Sequence, residues 1–356
     1  MILQVYIGRR FLRQLALIAG AFLAILFMID LIEQIRRFGG EGVGLGRLAF
    51  LAALNIAGSF YAILPLVTLL AGIALFLGLS RSSELVAMRA AGRSGIRIVA
   101  APVLSAILAG AVAVAVLNPI VAGTSKRFDM AAAQMRGDGG QAVSLGKGAV
   151  WLRQSVGRDA GGQIVIRAGR ASSDATTLYD ATFIVFDADQ GPVWRIEAAS
   201  ARLGSGNWAL RGVKRWPLDA PNPEIAAQSL PGLTVPTELT AARIRDSFGA
   251  PETVPVWQLP DFIAGLERAG FSARRHRVWL MMELARPFLM GAMVAIAAAF
   301  TMRPLRGRRT GVLVLAAFAS GVGLFFLRNL AQVLGEAGEV PGAMAAFAPP
   351  VVAVLL

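Results

Sequence analysis

Apolar and polar positions divide the chain into two apolar ends and a polar middle. Apolar runs lie at about 14–32 (QLALIAGAFLAILFMIDLI), within 48–80, at about 97–120, 278–302 and 311–334, and from near Val340 to Leu356. A bilayer core about 30 Å thick takes about 20 apolar residues in a helix, so these runs predict six membrane spans. The 48–80 stretch exceeds that length. Gly58 and Pro65 predict a kink there, or a start that lies along the interface. The last run is short and contains Pro349-Pro350. Between the third and fourth runs the pattern changes to short alternating segments: AVWLRQ (149–154), QIVIRAGR (163–170) and TLYDATFIVFD (177–187). VWRIEAASARL and WALRGVKRW then flank GSGN at 204–207, a hairpin signal. Several short strands at regular spacing predict a β-sandwich or jelly roll. LPDFIAGLERAG (259–270) predicts a short amphipathic helix ending at Gly270.

The expected fold is a polytopic α-helical membrane protein with six transmembrane helices and a β-sandwich or β-jelly-roll domain inserted between helices 3 and 4. Residues 1–121 form the first three helices, 122–258 the β domain, 259–277 a connecting helix and basic linker, and 278–356 the last three helices. Composition agrees: 56% of residues are hydrophobic and 16% charged, with a mean hydropathy of +0.61, against about 25% charged in a soluble domain. A net charge of +13 would suggest nucleic acid in a soluble protein. Here the arginines gather at span ends, which reads as topology. Arg9, Arg10 and Arg13, then Arg81, Arg89, Arg93 and Arg97, then the RPLRGRR loop at 303–309 place three segments on the cytoplasmic side. The GEAGEV loop (335–340) and the long middle segment fall on the other side. The first run follows a basic N-terminus, as in a signal peptide, but EQIRRFGG after it has no small-residue cleavage site. It therefore reads as a retained span.

With no cysteine and one histidine, His276, the chain excludes disulfides, thiol catalysis and a HExxH zinc site. The nearest approach to a phosphate loop, GGQAVSLGKG (139–148), has Gln141 where a Gly is needed and Gly148 where a Ser or Thr should bind magnesium. Energy for vectorial work would have to come from another chain. The cytoplasmic stretch RSSELVAMRAAG (81–92) is where it could enter. Ser82 or Ser83 can cap a helix, Glu84 suits its first turn, Arg89 its last turn, and Gly92 its stop. Leu85, Met88 and Ala91 share one stripe. Such a helix either lies on the membrane surface, anchored by its arginines, or docks in a groove on a partner.

SRSSELVAMRAAGRS resembles the coupling-helix segment of the lipopolysaccharide-export permease family, LptF/LptG, and is closer to its G-type than its F-type members. Further resemblance is carried by YIGRR (6–10) with EQIRR (33–37), by the hairpin VWRIEAASARLGSGNWALRGV, by Pro287 and Pro304-Leu305-Arg306, and by the order three spans, β domain, three spans. The resemblance implies an inner-membrane subunit that forms a heterodimer with an F-type permease on two copies of a cytoplasmic LptB-like ATPase. A single-span LptC-like protein and a periplasmic LptA-like bridge would be further partners, and no nucleic acid is involved. The chain itself would be neither an enzyme nor a cofactor binder, with ATP and magnesium held by the ATPase. Its β domain would be periplasmic and its cargo lipopolysaccharide.

Carried over residue by residue, the ATPase-coupling set is Glu84 with Leu85 and Met88 as the apolar docking face, and Arg89. Cargo phosphates call for cations near the outer rim: Arg36, Arg37, Lys126, Arg127, Arg274, Arg275 and Arg277, all of which would equally suit ordinary headgroups. At Asp30 the family tends to have a lysine, so an acid there predicts a cationic partner. Glu283 and Arg286 are spaced to pair with each other, and Arg328 either contacts cargo or snorkels. The alternatives are an F-type subunit of the same exporter and a non-transporting, ABC-linked mechanotransmission or scaffold protein.

Overall fold

A computed structural model describes residues 2–38, 44–135, 143–146, 149–156, 162–172, 176–187, 191–237, 239–240, 244, 250–268, 271–302 and 310–355. Two compact units emerge: Met1–Ala132 with Glu252–Trp257 and Arg274–Leu356, and Ala133–Pro251 with Gln258–Ala273.

The first unit is helical. It contains α1 (Ile2–Phe38), α2 (Leu45–Arg81), the short α3 (Glu84–Ala90) and α4 (Gly95–Val112). A π-helical turn, Ala113–Leu117, joins α4 to α5 (Asn118–Met135), whose last residues pass into the second unit. After the second unit come α7 (Arg274–Thr301), α8 (Thr310–Ala337) and α9 (Gly342–Leu355). Among the described residues, five helices are long and apolar enough to cross a membrane: Ile2–Phe38, Leu45–Arg81, Gly95–Phe128, Arg274–Thr301 and Thr310–Ala337. The sixth run forms only the shorter apolar helix Gly342–Leu355. The long 48–80 stretch is one 37-residue helix with Pro65 inside it, with no separate interfacial start. The third span continues past the expected boundary at 121, because the helix runs on through Met135.

In a bilayer the helices gain little from excluding lipid, so close packing of small residues holds them. At Gly110 on α4 a Cβ would stand 2.7 Å from the Cα of Pro287 on α7, and at Gly72 on α2 it would stand 2.9 Å from the Cβ of Ala297. The π turn leaves backbone groups to satisfy. The segment before the connecting helix supplies partners there: Trp257 Nε1 donates to the Ala115 carbonyl at 3.1 Å, and the Val256 amide donates to Asn118 Oδ1 at 2.8 Å.

The described residues of the second unit hold seven antiparallel strands in sequential order: β1 (Val143–Gly146), β2 (Ala149–Val156), β3 (Gly162–Ala171), β4 (Thr177–Asp187), β5 (Gly191–Leu203), β6 (Asn207–Pro217) and β7 (Gln228–Pro236). This corrects the expected topology. A jelly roll exchanges strands between sheets, whereas every ladder here joins neighbours in sequence. An irregular line crosses this meander. The β3–β4, β4–β5, β5–β6 and β6–β7 ladders each skip one pair, along the line Gly169, Asp180, Ala199, Gly212, Pro231. Asp180 and Gly212 on that line have positive φ, 52° and 63°. The register is unchanged across that line, yet the alternation of buried positions flips there. Ile166 and Ala168 are buried before the line on β3 and Ala171 after it, and likewise Leu210 and Val213 on β6. One apolar face thus stays inward across the line, with Trp208 and Phe183 packed edge to face at its centre. Buried Gln154 of β2 spans the fold: its Nε2 donates to the Pro236 carbonyl at 3.0 Å and its Oε1 accepts from the Thr237 hydroxyl at 2.5 Å. The hairpin at GSGN forms as the sequence predicts, with Leu203 opposite Trp208. The connecting helix, α6 (Leu259–Arg268), belongs to this unit; its expected stop at Gly270 lies outside the described residues.

Candidate functional site

The α3 segment is built as its sequence predicts at one end and differently at the other. Its C-terminus closes in a Schellman turn. The Gly92 amide donates to the Arg89 carbonyl at 3.0 Å, the Arg93 amide donates to the Met88 carbonyl at 3.2 Å, and Gly92 has φ +76°. At the N-terminus Ser83 holds the cap position in a left-handed conformation and makes no side-chain cap bond. The Ser82 hydroxyl turns to Glu84 Oε1 instead, at 2.7 Å. Arg10 Nη1 on α1 donates to both oxygens of Glu84, at 2.7 and 2.8 Å, and the Tyr6 hydroxyl donates to Oε2 at 3.0 Å. These donors, Arg10 foremost and then Ser82, hold the Glu84 carboxyl below its ordinary pKa. Arg89 reaches the other way, its Nη2 donating to the Met302 carbonyl at 3.4 Å.

The expected apolar docking face is corrected. Leu85 and Met88 are 3% and 7% exposed and pack into the same helical core as Ile7 and Phe11 of α1. Burying each is worth about 1.5–3 kcal/mol, so the stripe read as a partner contact seats α3 on its own bundle. The face left open carries Val86, 59% exposed, with Ala87 and Ala90.

A second cluster lies inside the bundle. The Glu283 side chain is 0% exposed and bonds Arg286 Nη2 at 2.6 Å, as the sequence spacing predicts. The sequence does not announce the other members. The Tyr61 hydroxyl donates to Glu283, and the Arg286 guanidinium lies 3.9 Å from the centre of the Tyr61 ring. Arg286 Nη1 also donates to the Tyr61 backbone carbonyl at 3.0 Å. That carbonyl would normally accept from the amide four residues on, but position 65 is proline and has no N–H. Arg286 fills the gap that Pro65 opens in α2. The only readable signal was a proline in a span and a cation elsewhere, with nothing to connect them.

The comparisons bear on the whole chain. A sequence model of the lipopolysaccharide export system permease LptF/LptG matches residues 5–356. The chain belongs to the LptF/LptG family. It is 23% identical over 344 residues to the lipopolysaccharide export system permease protein LptG of Haemophilus influenzae, a match covering 96% of this chain and 92% of that protein. The G-type leaning of the coupling segment is in line with this relative.

The remaining predicted residues of this LptF/LptG chain differ in their partners. Arg36 and Arg37 share one acid on their own helix, bonding Glu33 at 2.7 and 2.8 Å. Arg274 donates to the Ala337 carbonyl at 3.1 Å, and Arg275 lies 3.9 Å from Glu336. Lys126, Arg127 and Arg277 are exposed on α5 and α7. Asp30 has a partner of another kind than expected: the Asn55 amide of α2 donates to both its oxygens, at 2.8 and 3.0 Å. A neutral amide satisfies the carboxylate without bringing in a second charge, which is why no cation is needed there. Arg328 is half-buried and donates to Asn329 at 2.9 Å. The 304–306 loop lies outside the described residues.

Proposed function

We propose that this chain is the G-type permease subunit of an ATP-driven exporter that draws lipopolysaccharide from the outer leaflet of a bacterial inner membrane. The observation that carries the reading is the family match along residues 5–356. It is supported by long apolar helices before and after a sheet unit and by a short helix, α3, between two of them. Hydrolysis takes place in a partner ATPase, which meets the open face of α3. The six apolar runs act as six spans, α9 completing its crossing with its neighbours, and the sheet unit lies in the periplasm as part of the bridge. An F-type permease completes the cargo cavity, and LptC-like and LptA-like proteins extend the path. Among the candidate cations, Lys126 and Arg127 are best placed for cargo phosphates, because Arg36 and Arg37 already share Glu33.

Mass spectrometry of the complex purified in mild detergent tests this reading. Copurification of an ATPase, a second permease and a phosphorylated, multiply acylated glycolipid is expected. A chain that brings down neither ATPase nor glycolipid is not an exporter subunit.

A further inference from the structure

We propose that the cleft between the head of α1 and the start of α4 binds the phosphate of an anionic phospholipid, in the leaflet on the side of α3. The site lies apart from any cargo path and stands whether or not the chain exports.

The cleft is lined by Leu3, Gln4 and Ile7 of α1 and by Arg93, Arg97 and Ile98. Its volume is about 70 Å³, room for a group of a few heavy atoms. Leu3, Ile7 and Ile98 are apolar, Gln4, Arg93 and Arg97 are donors, and no described lining residue is an acid. Arg93 precedes α4 and Arg97 lies in its first turn, so both guanidiniums come from one short stretch. Arg10, on the same part of α1, meets Glu84. Arg93 and Arg97 have no such acid: among the described residues neither side chain has a partner. Two cations on one small cleft repel each other, and an anion between them removes that cost. The planar fork of a guanidinium matches phosphate oxygens, and the Gln4 amide adds a neutral donor.

The surroundings of the cleft decide for a lipid. Ile7 and Ile98 form a buried floor, whereas Ile2, Val5 and Ile96 beside it are 89%, 52% and 84% exposed. Apolar side chains this open mark contact with a membrane or a partner. Arg97 and Ile98 also begin the third apolar run, the level where hydrocarbon gives way to headgroups. A lipid meets both demands at once, with its phosphate in the cleft and its chains along the isoleucines. Basic pockets between spans hold anionic headgroups in this way. Beside the cleft α1 and α4 touch closely, a Cβ at Gly8 standing 2.9 Å from Ser105 Oγ. The bound lipid would therefore extend that contact as a staple between the first and third spans.

The test measures phosphatidylglycerol bound to the purified full chain by native mass spectrometry, against phosphatidylcholine and inorganic phosphate. Arg93→Gln/Arg97→Gln is expected to lower phosphatidylglycerol binding at least about tenfold, the low end for one charged hydrogen bond, and to leave phosphatidylcholine unchanged. Leu3→Trp, which fills the cleft and keeps both cations, should lower it comparably. Arg9→Gln/Arg13→Gln removes the same charge from α1 outside the cleft, and should lower it by less than about threefold, as screened charges do. An equal loss in Arg9→Gln/Arg13→Gln would mean diffuse attraction, and full binding by Leu3→Trp would mean that the cleft is not the site; either overturns the proposal. So does displacement of the lipid by inorganic phosphate at equal concentration, which would make this a free-anion site. If the parent shows no preference for phosphatidylglycerol, and Arg93→Gln/Arg97→Gln instead loses a copurifying protein, the arginines serve that protein and the proposal fails.

Discussion

The helical unit contains the same three side chains, Arg, Glu and Tyr, twice. Tyr61–Glu283–Arg286 lies inside the bundle, with side-chain exposure of 5% for Arg286 and 0% for Glu283. Tyr6–Arg10–Glu84 lies at its rim, with 26% for Arg10 and 32% for Glu84. Burial makes them different devices. The inner pair has no water to fall back on, so losing one member strands a charge in a low-dielectric core. It also completes a broken helix, since Arg286 serves the carbonyl left by Pro65. The rim pair exchanges protein contacts for water at little cost, so it can orient α3 without locking the fold. The inner triad is suited to holding the bundle and the outer one to seating α3.

Breaking the inner triad should have the largest effect. Arg286→Leu is expected to cost about 3–5 kcal/mol, seen as a large drop in melting temperature in detergent, and Glu283→Gln/Arg286→Met should lose less than Arg286→Leu alone. Gly110→Val comes next. It forces side-chain atoms against the Pro287 backbone beside the triad, and overpacking of this kind costs about 1–3 kcal/mol. Pro65→Ala sharpens the assignment of Arg286: by restoring an amide for the Tyr61 carbonyl, it should return about 1 kcal/mol to Arg286→Leu. A Pro65→Ala change that leaves the Arg286→Leu melt unmoved would separate the two. At the rim, Glu84→Gln should shift the melt by less than about 1 kcal/mol. The smallest effect is the response to pH. Because the folded state holds Glu84 below its ordinary value of 4.5, its contribution is fully present above that value and fades as pH falls through the lower, folded one. The melting difference between the parent and Glu84→Gln should therefore be flat near neutrality and shrink only in acid.

Much of the fold can be read from local pattern, but the partners cannot. Strand β4 covers the very residues, 177–187, that the alternation outlines, and the Gly92 stop is visible in four letters. Strand β7 is hidden by Pro231 and Gly232, which look like a break; Gly232 pairs with Arg211 of β6, and Pro231 falls at the skipped position of an edge strand, where a missing amide is tolerated. Asp30 and Asn55 each read as an isolated polar residue in an apolar run, although they bond across α1 and α2.

By itself the sequence determined the apolar runs, the interposed strands, the short helix with its glycine stop and the absence of any recognised nucleotide motif. Each depends on residues within a few positions of one another, where helix and strand periods act. Only the tertiary structure decided that Leu85 and Met88 face inward, that Arg286 closes the gap at Pro65, and that the buried positions of the meander change alternation along the line from Gly169 to Pro231. Periodicity defines a stripe or a face; which distant surface covers it is settled only when the whole chain competes for the same core.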